Sequence, residues 1–358
     1  MLHLVGTITA TTHVHQTDPN KEGNLSRTIK TYAWGKDQIR RQIPFITGNS
    51  IRGMLRRAAT ELTLDAVNVP ISRPMFSVLT TGKTTRKDIG MVPSTRSMIE
   101  AGNNVFAGLF GGGGYMIPSR YSMGPLVPMV EWCQDWLHPS LREKMIPMDK
   151  LTYKVNDVTR DVPLVTELIL TSRDDLLAGK GANRIEDYQS SVDAWIAEVT
   201  AGRVAKATDK AEKLEAKKRG DKPVAGPTKA ISVDVSGYNL IEAMLPGTPL
   251  QFWMRLKPSA NDAQVGLMLM AVRDWANANV IGGASARGFG RFEAQFALYD
   301  DDREIVPSLF NMGDHATAYT LSKDVDNYLA AAKAALATVT IGDLDNAFGT
   351  GAAGADHV

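Results

Sequence analysis

The sequence predicts an α+β fold built on an antiparallel sheet, and three patterns carry that expectation. Leu2, Leu4, Ile8 and Ala10 occupy even positions with Thr7 and Thr9 between them, the period of a half-buried strand. Val265, Met268, Leu269, Val272, Trp275 and Ala276 recur at helical spacing. Phe292, Ala294, Phe296 and Leu298 then alternate again as a strand does. With a further helix after Pro44, the order is strand, helix, long excursions, strands, helix, strand, which is compatible with a ferredoxin-like sheet covered by two helices.

Each element follows from local chemistry. After the first strand, residues 13–26 hold Asp18-Pro19-Asn20 and Gly23-Asn24, residue types that supply turns, so an exposed loop is expected. Asn49 or Ser50 is placed to cap a helix whose buried stripe is Ile51, Met54, Leu55, Ala58, Ala59 and Leu62. Arg52 and Arg56 sit one turn apart outside that stripe. Residues 68–130 are rich in Gly, Pro, Ser and Thr and predict long loops. Residues 165–170 read as a strand. Residues 203–222 carry eight Lys/Arg without an apolar face, as a solvated helix or flexible insertion does. Residues 231–235 predict another strand. Residues 240–245 and 250–256 read as two strands joined at Pro246-Gly247-Thr248-Pro249 as a hairpin.

A chain of 358 residues with 44% hydrophobic residues buries a substantial core, in one elaborated domain or two. The opening Met1-Leu2-His3-Leu4-Val5-Gly6 has no basic leader, and the apolar runs are short, so no membrane association is expected. A single cysteine, Cys133, excludes an internal disulfide and multi-thiolate metal sites, and its tryptophan neighbours mark it as a buried structural thiol. Together these set a cytoplasmic expectation. The net charge of +1 hides an uneven distribution. Residues 1–60 hold nine Lys/Arg against three Asp/Glu, and residues 300–358 hold ten Asp/Glu against three Lys/Arg, which allows a polyanionic partner.

The most informative stretch is Ile281-Gly282-Gly283-Ala284-Ser285-Ala286-Arg287-Gly288-Phe289-Gly290-Arg291. Four glycines leave backbone N–H groups open to a phosphate, two arginines supply charge, and Phe289 offers a stacking surface for a base. A tight helix-to-strand connection explains one or two glycines but not four with two arginines. Gly82-Lys83-Thr84 copies the end of a nucleotide-binding P-loop, yet Ser77 stands where its first glycine is required. The run Gly111–Gly114 lacks the Gly-Lys-Ser/Thr ending and speaks for close backbone approach. His13, His15 and Asp18 form a trio that suits a divalent metal or acid–base work on a ribose phosphate, or else a pair of ordinary polar strand residues with a loop aspartate.

Three separated pieces then coincide with one family. Ile43-Pro44-Phe45-Ile46-Thr47-Gly48-Asn49-Ser50-Ile51-Arg52-Gly53, the middle Leu109-Phe110-Gly111 followed by Tyr121-Ser122-Met123-Gly124-Pro125-Leu126, and the late loop Gly282–Arg291 stand in the family's order. Over residues 1–300 the chain resembles a RAMP-superfamily backbone subunit of a Class 1 CRISPR ribonucleoprotein, most closely the seven-type backbone protein of type IV systems.

The resemblance implies an RRM-like core with long insertions, a hand-like fold with a thumb. It implies a subunit that multimerises head to tail along a CRISPR guide RNA and presents the guide for pairing with a complementary target nucleic acid. Other CRISPR effector subunits, a helicase among them, are the further partners it implies, with no cofactor, no metal and no catalysis. It divides the chain into a first part of the core with a guide-binding helix (1–67), a loop-rich insertion with strands (68–164), a lysine-rich insertion holding the thumb (165–230), a second part of the core with the glycine-rich loop (231–300), and an acidic, alanine-rich tail (301–358). Asn49, Ser50, Arg52 and Arg56 are expected to face the guide, as are Gly282, Gly283, Arg287, Gly288, Phe289, Gly290 and Arg291, with Arg173 and Arg184 as the basic thumb candidates. The competing expectation comes from type III relatives: a metal-assisted ribonuclease in which Asp18, with His13 or His15, cuts bound target RNA.

Overall fold

The computed structural model describes residues 1–19, 25–83, 94–171, 238–311 and 318–349, and the isolated positions 190, 194, 197, 201 and 208. The chain forms two compact units: Met1–Asn20, Arg27–Thr166 and Glu242–Val358 in the first, Lys21–Ser26 and Glu167–Ile241 in the second. The chain begins with β1 (Leu2–Ala10) and β2 (Leu25–Ser26), followed by the hairpin β3 (Lys30–Trp34) and β4 (Arg40–Pro44). Four helices follow: α1 (Gly48–Val67), α2 (Arg73–Thr81), α3 (Thr95–Asn103) and α4 (Val105–Phe110). Short strands β5 (Tyr121–Met123) and β6 (Val127–Pro128) precede single 3-10 turns between Glu131 and Lys150, the hairpin β7 (Thr152–Val155) and β8 (Val158–Asp161), and β9 (Val165–Thr171). Later in the chain come β10 (Tyr238–Met244), β11 (Pro249–Leu256), α5 (Asp262–Ala278), β12 (Phe292–Asp300), β13 (Arg303–Val306), β14 (Phe310–Asn311) and β15 (Thr320–Leu321). Helices α6 (Asp326–Thr338) and α7 (Ile341–Phe348) end the described chain.

The central sheet of the first unit has the order β13-β12-β1-β11-β5, with β6 also paired to β11, and every pairing is antiparallel. With β5 and β6 taken as one interrupted edge strand, β12, β1, β11 and β5 are the fourth, first, third and second strands of a βαββαβ unit. The expected ferredoxin-like, α+β core is therefore present. Its helix-covered face is made by the even positions of β1: Leu4, Ile8 and Ala10 are buried with the apolar face of α5. Gly6 sits in mid-strand because the Phe252 and Phe296 rings meet at 4.4 Å across it; a Cβ there would stand 2.6 Å from Phe296. Trp275 of α5 stacks 5.6 Å from Phe252 and completes this aromatic cluster.

Helix α5 is buried nearly all round, since the sheet lies on one side and α6 on the other. Its first turn includes a fully buried Gln264 whose polar atoms are satisfied: Nε2 donates to Gly102 O and Asn104 O, and Oε1 accepts from Arg120 at 2.9 Å. The alanine-rich segment near the C-terminus is structured, because Val325, Ala332, Leu336, Leu344 and Phe348 enter the core. On the opposite sheet face, Val5 and Val127 are covered by Met129, Leu137 and Leu141 of the segment that follows β6. That cover is partial, since Glu293 and Gln295 on the same face of β12 stay exposed.

Several expectations need correction. The segment 68–130 contains three helices; each starts on a side-chain cap, from Ser72, Ser94 and Asn104, a short-range signal that the absence of a long apolar period hides. Helix α1 is capped by Thr47 rather than by Asn49 or Ser50. Gly82 ends α2 in the left-handed region at φ 75°, opposite to the helix entry that a P-loop requires. The turn at 246–249 forms, but β10 does not make a hairpin with β11; it pairs with β2 and β9 in a three-stranded sheet. The strand expected at 231–235 lies outside the described residues, as does the lysine-rich stretch 203–222 apart from Thr208. Cys133 is 1% exposed and burial pushes its thiol up to about 12, as a structural thiol requires. No helix among the described residues is long and apolar enough to cross a membrane.

Candidate nucleic-acid interface

The segment that leaves β1 is the frame of the site. Val14 bridges to Met244, His15 bridges to Gly283, and Thr17 bridges to Thr28. Gln16, between two of these anchors, reaches the start of α1: its Nε2 donates to Thr47 Oγ1 at 2.9 Å and its Oε1 accepts from Thr47 N at 3.0 Å. One five-residue stretch thus ties the glycine-rich loop on one side to the N-terminus of α1 on the other. Two of the sequence motifs, separated by more than two hundred residues, meet there.

The glycine-rich loop is built by close backbone approach. Gly290 lies at φ 81° and a Cβ there would stand 2.0 Å from Ile281 O, so only glycine fits. Ile281 N donates to Gly290 O at 2.9 Å, Gly290 N to His13 O at 2.8 Å, and Gly283 N to His15 O at 2.6 Å. Arg287 N and Gly288 N donate back to Ala284 O and Ser285 O within one 3-10 turn. The expectation of a backbone cradle open to phosphate is corrected accordingly: Gly282 and Gly290 allow tight packing against His15 and Ile281, and the N–H groups of Gly283, Gly288 and Gly290 are engaged inside the protein. Phe289 is corrected too. It is 6% exposed and packs 6.0 Å from the His13 ring, so it offers no face to a base.

The loop does present its tip. Residues 285–288 are exposed, and Arg287 stands there without an ion-pair partner among the described residues. Arg291 is exposed as well; its Nη1 donates to Ala278 O at 3.3 Å, so it closes the C-terminal end of α5 while keeping its charge at the surface.

On α1, Asn49 is exposed and Ser50 is half-buried in the first turn, at the positive end of the helix dipole. Arg52 is half-buried; its guanidinium donates to Ser119 Oγ at 3.3 Å and lies 5.3 Å from the Tyr121 ring. No carboxylate pairs with it among the described residues. Arg56 departs from expectation. It is 8% exposed, and its guanidinium donates to Leu79 O (2.6 Å), Val78 O (2.8 Å), Gly111 O (3.1 Å) and Phe110 O (3.2 Å). Burial lowers its pKa to about 10, so it stays charged at neutral pH while bound to the ends of α2 and α4. Arg56 is an internal helix cap rather than a surface contact.

The histidine trio is not gathered around a common point. His15 is 3% exposed; its Nδ1 pairs with Glu242 O at 2.7 Å and its Nε2 with Thr17 Oγ1 at 3.0 Å. His13 packs on Phe289 instead, and Asp18 N donates to Arg27 O. Among the described residues no group of three His, Cys, Asp or Glu is arranged to hold a metal. Arg173 and Arg184 lie outside the described residues. Gln16 is the residue that sequence reasoning missed. A glutamine in a polar loop carries no periodic signal, and its partner Thr47 is distant in sequence.

The result is a surface where α1 starts, the loop tip 285–288 projects, and Arg52, Arg287 and Arg291 have no ion-pair partner among the described residues. Such a surface suits a polyanion held by its backbone. No protein-family model matches the chain, and no curated protein does. Among solved structures the chain is similar to one described as a type IV-B CRISPR complex, at 16% sequence identity and a TM-score of 0.46, over 83% of this chain and 90% of that one.

Proposed function

We propose that the chain is a non-catalytic backbone subunit of a type IV-like CRISPR effector complex, one that holds guide RNA by its sugar–phosphate backbone and repeats head to tail along it. The observation that carries this reading is the junction made by Gln16, which sets the first turn of α1 beside the glycine-rich loop of a βαββαβ core. The exposed or half-buried residues of the two motifs there are small, polar or cationic: Asn49, Ser50, Arg52, Arg287 and Arg291. They match phosphate positioning rather than base reading, which leaves base edges free for a target. The segment packed over Val5 and Val127 supports the same assignment, because it takes up part of the stacking platform that an RRM-like sheet usually offers to bases.

The test is purification of the chain co-expressed with a CRISPR array and its neighbouring effector subunits, with absorbance at 260 and 280 nm and a denaturing gel of the bound nucleic acid. Discrete RNA of guide length in a large particle is expected, and Arg52→Glu with Arg287→Glu should release it. A nucleic-acid-free chain even with those subunits present rules the reading out. Cleavage of bound target that disappears in Asp18→Ala would favour the ribonuclease instead.

A further inference from the structure

The hairpin β3–β4 carries a second surface of a different kind. Its two faces are sharply unlike. Inward, Ala33 and Ile43 are buried with Val130, Trp132 and Cys133. Arg41 lies 4.8 Å from the Trp132 ring and pairs with Asp37 at 2.6 Å and Asp161 at 2.9 Å, contacts that raise its pKa. Outward, Tyr32 is 49% and Trp34 64% exposed, and the cross-strand register sets Gln42 opposite Tyr32 and Arg40 opposite Trp34. The Arg40 guanidinium sits 4.3 Å from the centre of the Tyr32 ring, and Gln42 Nε2 donates to the Tyr32 hydroxyl at 3.0 Å.

Two large aromatic side chains on one exposed strand face need an explanation, because an isolated hairpin gains nothing from showing them to water. Charge decides the occupant. Asp37 is consumed by Arg41, and Lys30 by the buried Glu242, whereas Lys36 and Arg40 have no ion-pair partner among the described residues. The outward face is aromatic and cationic, with no unpaired carboxylate on the hairpin among the described residues. The inward anchoring fixes the strand that carries both rings, and Arg40 and Gln42 hold the Tyr32 ring in place before anything binds, so less ordering entropy is lost on contact.

We propose that this face binds single-stranded nucleic acid, with bases stacking on Trp34 and Tyr32 and phosphates meeting Arg40 and Lys36. The inference rests on the reading of the chain as an RNA-binding subunit and adds to it a contact that touches bases. Its consequence is that a stretch of strand at the hairpin is gripped through its rings, not only its charge.

Fluorescence anisotropy with a labelled single-stranded oligouridylate, titrated with the full chain across a salt series, tests it. The double variant Tyr32→Ala/Trp34→Ala should bind more weakly by about 30-fold or more with an unchanged salt slope, as the loss of two stacking contacts predicts. Trp34→Phe should retain most affinity, and Arg40→Gln should lower the slope by about 0.7. A thermal midpoint matching the unsubstituted chain shows that these exposed changes leave the fold intact. If the double variant binds normally while Arg52→Gln/Arg287→Gln binds weakly, the hairpin inference falls and the proposed function stands. If the hairpin variant weakens binding and the Arg52/Arg287 variant does not, the hairpin stands and the α1–loop site falls. Normal RNA affinity with smaller assemblies in the hairpin variant makes the face a contact between copies and overturns the inference, as does an unsubstituted chain that binds no oligonucleotide.

Discussion

Arg56 spends a full charge on four carbonyls, an arrangement that makes it more valuable to the fold than any surface arginine. Val78 O also accepts from Gly82 N and Leu79 O from Thr60 Oγ1, whereas Phe110 O and Gly111 O at the end of α4 rely on the guanidinium. Arg56→Ala strips these two carbonyls of that donor and should destabilise by about 2–4 kcal/mol, seen as a lower urea midpoint. Arg52→Gln should leave that midpoint within about 0.5 kcal/mol and weaken RNA binding instead. A midpoint unchanged in Arg56→Ala contradicts the capping role. Two histidines supply a pH dependence. Burial lowers the pKa of His3, helped by Arg255, and burial lowers that of His138, helped by His3. The unfolded chain protonates both near the usual 6.5 while the folded chain resists, so stability is lost as pH falls below that value. Urea midpoints at neutral and mildly acidic pH should show the loss, and His3→Asn/His138→Asn should flatten it.

At the scale of elements, Gln16 and Thr47 couple a loop to a helix. Thr47 accepts from Ser50 N at 3.3 Å, a long cap bond, and its other contacts go to Gln16. Gln16→Ala should therefore cost about 1 kcal/mol of stability and also loosen the first turn of α1 relative to the glycine-rich loop. Faster amide exchange in both segments is the measurement, and unchanged exchange at residues 281–291 would show that the coupling is local to α1. The core strands and α5 were legible in the sequence because burial on one face writes a period of two or 3.6 into the chain. Helices α2 to α4 were not, since each is too short to show a period and depends on a cap and on packing against distant residues. Arg52 and Arg56 show the limit at the site: one turn apart, they read alike, and only the tertiary arrangement of α2 and α4 makes one a cap. Phe289 was misread for the same reason, as an aromatic between glycines looks exposed until the His13 segment covers it.

For the whole molecule, the charge balance bears on how copies would come together under the proposed function. The chain is near neutral at +1, yet its first sixty residues are basic and its last sixty acidic. In the proposed assembly, a near-neutral chain of this kind would favour contact between different surfaces of successive copies over contact between identical ones. Such head-to-tail contacts produce a ring only when the rotation closes, and otherwise an open filament. If RNA sets the length of that filament, particle mass should rise in steps of one chain as the oligoribonucleotide is lengthened, and it should stay at one chain when RNA is omitted. Mass photometry over a ladder of RNA lengths reads this directly. Raised salt should shorten the particles by weakening phosphate contacts first, with each lost arginine contact lowering the salt slope by about 0.7. Arg287→Gln should therefore shift the whole ladder to lower salt without changing the step. A single mass independent of RNA length would instead mean a closed assembly, and the head-to-tail filament would have to be abandoned even if the RNA contact survived.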